Sequence, residues 1–318
     1  MVGGLRKEDF ILYENGVKQQ VTHFSQEMPP LSIVFLLNLT SLQGCGQIVT
    51  QKGMPQVWPH LRTKDEVALM AFNWNTIWLV QDFTKDKQLV ANNFVCTEPA
   101  VSPLLTSVIA SPQRAVYEAA VHLNRASNPP GRRVILALTD DIPWWTRRGT
   151  KDVIKHRYFA ASKKGTYSKD ELLGQLLRSG GMVCALMAPN PEHTPELKRE
   201  FKRGMEQINA HPYTKIESWI KGYNPWEYVG MQFYIEGTGG HMRLTGADQA
   251  SAHLAEMIDR LYAHYSFGYI SSNQKRDGKF RRIRLTVSPE VEQREGGVVI
   301  KTREGYYAPR GIDGSDKR

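Results

Sequence analysis

The feature that most constrains this sequence is the run Leu31–Leu37, in which six of seven residues are apolar. A strand that is apolar on both faces needs cover on both, as does a central strand of a parallel sheet flanked by helices. Similar runs follow at residues 132–138 and 182–187, and helical spacing of apolar residues at 112–123 lies between the first two. This order predicts an α/β fold with a doubly wound, mostly parallel, Rossmann-like sheet and right-handed crossovers.

Local signals predict further elements. Ser168 and Glu171 form a capping box that opens a helix, and Gly180 follows where that helix should end. A hairpin over residues 10–24 turns at Asn15-Gly16, a pair that tolerates positive φ. The remaining predictions are strands at 66–73, 76–83, 265–270, 280–289 and 298–302, and helices at 194–210, at 247–263 and before Gly239-Gly240.

The strands near the two ends of the chain are predicted to form one unit. The 318 residues correspond to roughly two domains at about 150 residues each. Neither the strands within 5–30 nor those within 271–310 would bury a hydrophobic core alone. We therefore expect them to pair into one small β-module, with the α/β domain at 31–270 inserted between them.

Eight strings occur in order along the chain, at residues 5–24, 31–41, 115–119, 131–141, 238–240, 265–269, 277–284 and 303–307. Together they resemble the bacterial VWA-related proteins, a family built on a von Willebrand factor type A domain. The resemblance spans nearly the whole chain. It implies a doubly wound α/β domain, usually in exported proteins, that mediates protein contact or scaffolding and is not an enzyme.

The resemblance also implies a metal-ion-dependent adhesion site at the carboxyl edge of the sheet, where open α/β folds bind ligands. Such a site holds Mg²⁺ through oxygen ligands and leaves one position for an acidic side chain of the partner. Its positions fall here on Asn38, Thr40, Leu42, Arg114 and Asp140. Asn38 lacks a charge, Leu42 lacks an oxygen, and Arg114 places a cation beside the ion at a cost of several kcal/mol. The metal site is therefore expected to be lost, with Mg²⁺ bound only if it still functions.

Arg114 suggests how the loops are organised without an ion. Its guanidinium fork is expected to occupy the place of the metal, pairing with Asp140 and hydrogen-bonding Asn38. The alternative is that Arg114 points into solvent from a loop displaced by a few residues.

An aromatic and basic cluster, Trp144, Trp145, Arg147 and Arg148, follows Asp140 closely. Exposed aromatic side chains next to arginines are typical of interface hot spots, so these four residues are the predicted binding residues for an unidentified protein partner. The alternative is a tryptophan pair packed in the interior, because large aromatic side chains are mostly buried.

The net charge offers a second function. The chain has 41 Lys and Arg against 32 Asp and Glu, a net charge of +9, with basic clusters at 147–164 and 275–284. These clusters favour binding of nucleic acid or another anionic polymer. Against this, the chain has no recognised nucleic-acid motif, and Arg281, Arg282 and Arg284 lie on a strand among Phe280, Ile283 and Leu285, where such charges usually mark a solvated face or a protected edge.

An α/β hydrolase is the third alternative. The nine His are scattered, and neither H-E-x-x-H nor G-x-S-x-G occurs. Cys45, Cys96 and Cys184 are far apart and form no C-x-x-C, which argues against a structural zinc site. The first residues show no signal-peptide pattern and no apolar run approaches the roughly 20 residues of a membrane span. Export, periplasmic or extracellular, is implied by the resemblance alone.

Overall fold

The computed structural model describes residues 4–26, 30–39, 54–73, 76–94, 100–101, 103–106, 112–129, 132–140, 145–147, 167–188, 226–228, 231–246 and 248–310. The strands are β1 (Phe10–Glu14), β2 (Val17–Gln19), β3 (Val21–Ser25), β4 (Ser32–Asn38), β5 (Glu66–Phe72), β6 (Thr76–Thr84), β7 (Leu105–Thr106), β8 (Arg133–Asp140), β9 (Trp145–Arg147), β10 (Gly181–Ala188), β11 (Trp226–Tyr228), β12 (Met242–Leu244), β13 (Ser266–Tyr269), β14 (Phe280–Val287) and β15 (Gly305–Tyr307). The α-helices are α1 (Lys87–Asn93), α2 (Pro112–His122), α3 (Lys169–Ser179), α4 (Met231–Thr238), α5 (Ala250–Tyr262) and α6 (Pro289–Glu295), and short 3₁₀ turns lie at Lys7–Asp9, Met54–Gln56, Trp58–His60 and Leu123–Arg125.

A seven-stranded sheet in the order β12-β10-β8-β4-β5-β6-β7 forms the centre of the molecule. The strands from β12 to β5 are parallel, whereas β6 runs antiparallel to β5 and β7 antiparallel to β6. Every residue of β4 and β5 is buried, as the apolar run at Leu31–Leu37 requires of a central strand. The predicted fold class, a doubly wound and mostly parallel α/β sheet, is confirmed.

Hydrophobic layers cover both faces of this sheet. On one face Phe35 packs edge-on against Trp58 and Phe94, and α5 contributes Leu254 and Ile258 to the same layer. On the other face β4 residues pack with buried residues of α2, α3 and α4. Because helices lie on both sides of the sheet, the side chains on both faces of each strand are removed from water. This burial contributes a favourable free energy of about 25 cal/mol per Å² of apolar surface.

Local helix signals acted as predicted. The Ser168 hydroxyl accepts a hydrogen bond from the Glu171 backbone N–H, and the Glu171 carboxylate accepts one from the Ser168 backbone N–H, so α3 begins with a capping box. Gly180 adopts φ 68° and ends α3. Gly239, at φ 77°, follows α4 as the predicted turn.

Strands from the two ends of the chain pair with each other. β1 lies antiparallel to β14, with Phe10 opposite Val287, in a sheet of order β15-β14-β1-β2. β3 pairs with β13, a strand that the predicted boundary at residue 270 assigns to the α/β domain. The division into a domain at 31–270 and a β-module from 5–30 and 271–310 stays a prediction.

The sequence predictions were wrong at the C-terminal end. Residues 298–302 form no strand; α6 precedes them, and β15 follows them. Ser288 caps α6 with Pro289 in its first turn, and Gly296 ends it at φ 70°. These are ordinary start and stop signals that the apolar run Val298–Ile300 obscured.

Arg281 corrects a second expectation. It is 5% exposed, and its guanidinium pairs with Asp277 at 2.9 Å and donates to the Lys275 carbonyl. Arg282 and Arg284 are exposed, as predicted for a solvated face. The predicted helix at 194–210 lies outside the described residues.

Candidate functional site at the carboxyl edge of the sheet

The central strands β4 and β8 end at the same edge, since they are parallel and in register from Ser32 opposite Arg133 to Leu37 opposite Leu138. Asn38 is therefore placed beside the end of β8. Its side-chain Nδ2 donates to the Thr139 Oγ1 at 2.9 Å, and both residues are buried. This bond ties together the two strands that a ligand at this edge would contact.

Arg114 lies in the first turn of α2. Its Nε is 2.6 Å from the Glu118 Oε1, one helical turn later, and the side chain is 13% exposed. The guanidinium also lies 5.1 Å from the centre of the Tyr167 ring. Arg114 is therefore held by an ion pair and a cation–π contact, and the alternative of a solvent-facing arginine is wrong.

Two tyrosines pack against this arginine. The rings of Tyr117 and Tyr167 stack with centres 3.7 Å apart. Burial raises the pKa of the Tyr167 hydroxyl to about 12, although the Arg114 charge opposes the rise. Tyr167 is therefore neutral at physiological pH. This contact could not be predicted from the sequence, because residues 114 and 167 are far apart along the chain.

Gln113, next to Arg114, is a further polar residue at this site that the sequence did not predict. It is 1% exposed, and neither its Nε2 nor its Oε1 has a hydrogen-bond partner in the described part of the chain. A buried amide left without partners costs about 1–3 kcal/mol. Because Gln113 lies in the first turn of α2, it adds an uncharged polar side chain next to Arg114.

The other predicted site residues are described less completely. Thr40, Leu42, Trp144 and Arg148 lie outside the described residues. Asp140, Trp145 and Arg147 are described by backbone alone, so the proposed pair between Arg114 and Asp140 stays a prediction. Over the ranges that the structure describes, no three His, Cys, Asp or Glu side chains cluster as metal ligands would.

The backbone shows a two-stranded ribbon near this edge. β9 begins five residues after Asp140 and pairs antiparallel with β11, a strand that was not predicted. The register sets Trp145 opposite Tyr228 and Arg147 opposite Trp226. Five extended residues reach at most about 18 Å, so Trp145, the first residue of the ribbon, lies within that distance of the end of β8.

No protein-family model matches the chain, and no curated protein matches it. Solved structures to which it is similar include the PilB minor pilin from Streptococcus sanguinis, at 10% identity and a TM-score of 0.42, covering 74% of this chain and 62% of the pilin chain. The chain thus spans less than two thirds of that pilin.

Two further structures to which the chain is similar are VWA domains. The SpRpn10 VWA domain is 10% identical with a TM-score of 0.37, covering 73% of this chain and 95% of that one. A von Willebrand factor type A structure from Catenulispora acidiphila is 9% identical with a TM-score of 0.36, covering 82% and 52%. VWA is the family to which the sequence resemblance pointed. In the described part of the chain, no helix has the length and apolar character of a membrane span.

Proposed function

We propose that this protein is a non-catalytic binding domain that contacts another protein through the carboxyl edge of its sheet. The observation that carries the proposal is the ribbon of β9 and β11. Its register pairs aromatic positions with each other and an arginine with a tryptophan, close to the end of β8. Trp, Tyr and Arg are the residues that dominate binding energy at protein interfaces. We further propose that the protein acts outside the cytoplasm, as the resemblance implies.

The partner surface is proposed to carry acidic side chains. The chain has a net charge of +9, and Arg147 and Arg148 belong to the ribbon and its continuation. Of these two arginines only Arg147 is a described position of the ribbon. An acidic surface would be steered towards this edge by the net positive charge and paired there by guanidinium groups.

The adhesion site is proposed to work without a metal ion. Asn38 already donates to Thr139, and Arg114, which the resemblance aligns with a hydroxyl ligand, is paired with Glu118. A dication beside a guanidinium is electrostatically unfavourable, so the two described positions do not fit Mg²⁺. Direct side-chain contacts then hold the loops at this edge in place, as a bound ion would otherwise do.

The binding proposal is tested by capture from an extract of the native host, with and without EDTA, followed by an affinity measurement with the purified partner. Trp145→Ala with Arg147→Ala changes the ribbon. Arg282→Ala with Ile270→Ala is the matched control, since both residues are exposed and lie elsewhere. We expect the ribbon variant to weaken binding at least tenfold, the control to stay within twofold, and EDTA to have no effect. Equal binding by the two variants, or no captured protein, would contradict the proposal.

Ionic strength separates this proposal from nucleic-acid binding. Affinity carried by phosphate contacts falls steeply with salt, whereas a packed protein interface changes little. The basic-surface alternative would instead be favoured by a DNA or RNA oligonucleotide that binds at about 50 mM salt and no longer binds at about 200 mM salt, the range over which phosphate contacts weaken strongly.

The proposed loss of the metal site is tested by a separate measurement. Thermal melting is recorded with EDTA and with increasing Mg²⁺. We expect the melting temperature to stay constant, because no described position supplies a carboxylate ligand in place of Asn38 or Arg114. A saturable, Mg²⁺-dependent rise would overturn the proposed loss of the metal site while leaving the proposed protein contact open to the capture experiment.

A further inference from the structure

A cavity of about 780 Å³ lies at the opposite, amino edge of the sheet. Arg132, Gly181 and His241, at the starts of β8, β10 and β12, line it on one side. Strands β1, β13 and β14 and the segment Gly297–Arg303 line it on the other. Its volume falls within the roughly 300–1,000 Å³ of small-molecule sites. Neither the candidate site nor the proposed protein contact uses this edge.

One wall of the cavity is apolar. It is made by side chains of the paired end strands, including Phe10, Leu12, Phe267 and Leu285, and by Val298 and Ile300. Phe10 and Phe267 pack edge to face with ring centres 4.8 Å apart. This wall suits a hydrocarbon or aromatic body.

The lining also carries basic groups. Its charged and titratable members are Arg132, His241, Arg260, His264, Lys301 and Arg303 with the tyrosines Tyr265 and Tyr269, and no Asp or Glu occurs among the described lining residues. Arg260 is paired with Glu256, and the Arg132 Nη2 donates to the Ser266 Oγ at 2.8 Å. The lining as a whole therefore presents a positive potential to the cavity.

Among the basic residues of the lining, Arg303 indicates most directly that an anion could bind. It is half-buried, and it makes no hydrogen bond or ion pair with any residue that the structure describes. Burial lowers the pKa of its guanidinium. A desolvated charge without a partner is costly, and an anion in the cavity would offset that cost.

His241 adds a second polar atom without a described partner, just after the turn against which the backbone at Arg303 lies. The Nε2 of His241 is buried and has no hydrogen-bond partner within the described ranges, while its Nδ1 lies 3.5 Å from the Cys184 Sγ. A methyl group on Gly239 would meet the backbone N of Arg303 at 2.7 Å, so the chain at Arg303 lies against the turn that leads into His241.

The positive charge around His241 also favours an anionic ligand. Burial, followed by the positive charges of His264, Arg260 and Lys301, lowers the pKa of His241 to about 4. The ring is therefore neutral at pH 7, and its Nε2 is a hydrogen-bonding group in a field of positive charge.

We propose that this cavity binds an apolar carboxylate, a fatty acid of medium chain length, with its carboxylate at Arg303 and its hydrocarbon tail along the apolar wall. Guanidinium pairs with carboxylate in a bidentate fork, which supplies the counter-ion that Arg303 lacks. On binding, the hydrocarbon tail leaves water and packs against Leu12, Phe267 and Leu285. The proposal is independent of the protein contact proposed above.

Isothermal titration calorimetry of the full chain tests it, with decanoate as the probe. Decyltrimethylammonium carries a similar tail with the opposite charge, and acetate carries the head group alone. We expect saturable binding of one decanoate per chain and at least tenfold weaker binding of the other two. No saturable decanoate binding, or equal binding of the cation, would overturn the proposal.

Variants locate the site. Arg303→Gln is expected to weaken decanoate binding at least tenfold, whereas Arg282→Gln, the same change at an exposed position outside the cavity, should stay within twofold. Circular dichroism checks that each variant folds. If Arg303→Gln does not fold, Ile300→Trp becomes the decisive variant, since it fills the cavity from the apolar wall and should abolish binding. Unchanged decanoate affinity in a folded cavity variant would refute the site.

Discussion

The contact between the chain ends depends on one buried carboxylate, and we predict a measurable loss when it is neutralised. Glu14, at the end of β1, is 2% exposed. It accepts hydrogen bonds from the hydroxyls of Tyr269 and Ser271 at 2.7 Å and from the Tyr306 hydroxyl at 2.8 Å. The three donors come from the last fifth of the chain, so this carboxylate joins β1 to strands and turns far away in sequence.

The magnitude follows from these three bonds. A hydrogen bond to a charged group contributes about 1.5–3 kcal/mol, against about 0.5–1.5 kcal/mol between neutral groups. Glu14→Gln keeps the shape, removes the charge and replaces one acceptor oxygen by an NH2 donor, so at least one of the three bonds is lost and the others should weaken by about 1 kcal/mol each. The expected fall in the free energy of unfolding is at least about 3 kcal/mol at pH 7.

Urea unfolding followed by tryptophan fluorescence and by circular dichroism measures this loss. Glu8→Gln, an exposed acid in the same part of the chain, is the control and should change stability by less than about 0.5 kcal/mol. If the two variants unfold at the same urea concentration, the carboxylate does not hold the ends together and the reasoning fails.

The pH dependence gives an independent check. Burial alone would raise the pKa of Glu14, but hydrogen bonds from Tyr269, Ser271 and Tyr306 outweigh it and hold the pKa below its ordinary value of 4.5. A lowered folded-state pKa contributes stability above the unfolded pKa and loses it as pH falls through the folded pKa. The stability gap between the native chain and Glu14→Gln should therefore be full at pH 7 and narrow below about pH 4.5. A gap that does not change with pH would show that lost packing is the cause.

Three further predictions concern the α/β part of the fold. Gly240→Ala would set its methyl group 1.8 Å from the Val183 carbonyl oxygen, so it should destabilise the protein by more than about 3 kcal/mol, measured by urea unfolding against Gly246→Ala, where the nearest atom belongs to an exposed side chain. Burial raises the pKa of the Cys184 thiol to about 12, so in a Cys45→Ser, Cys96→Ser chain this thiol should react with a thiol-specific dye only after unfolding; fast labelling of the folded chain would contradict its burial. Asn38→Ala removes the amide hydrogen bond that the buried Thr139 hydroxyl accepts, at an expected cost of about 0.5–1.5 kcal/mol; a melting curve identical to that of the native chain would exclude a structural role for this bond.

Most of the central architecture was predictable because its signals are local. A strand such as β4, apolar at successive positions, has to lie inside a two-sided sheet wherever it occurs. The capping box of Ser168 and Glu171 and the left-handed Gly180 act within a single turn of α3. The α6 helix was missed although its signals are equally local, since the apolar residues after Gly297 were interpreted as a strand.

The candidate site was predictable only in outline. Parallel strands must end at a common edge, so Asn38 was placed correctly beside the end of β8. The partner of Asn38, the Thr139 hydroxyl, was not predicted, and neither was the pairing of Arg114 with Glu118. Side-chain partners depend on rotamers and distances that a linear spacing does not specify.

The sequence by itself determined most elements of the central sheet, the burial of β4, β8 and β10, and the parallel pairing of these strands, because hydrophobic periodicity and helix caps act over a few residues. Only the tertiary structure decided which distant groups meet. It buried Arg281 in a strand whose pattern indicates solvent, gathered three hydroxyls on Glu14, and left Arg303 unpaired, among the described residues, beside a basic and apolar cavity. Those outcomes follow from the pairing of the two chain ends, which brings together residues more than 200 positions apart and which no local pattern encodes.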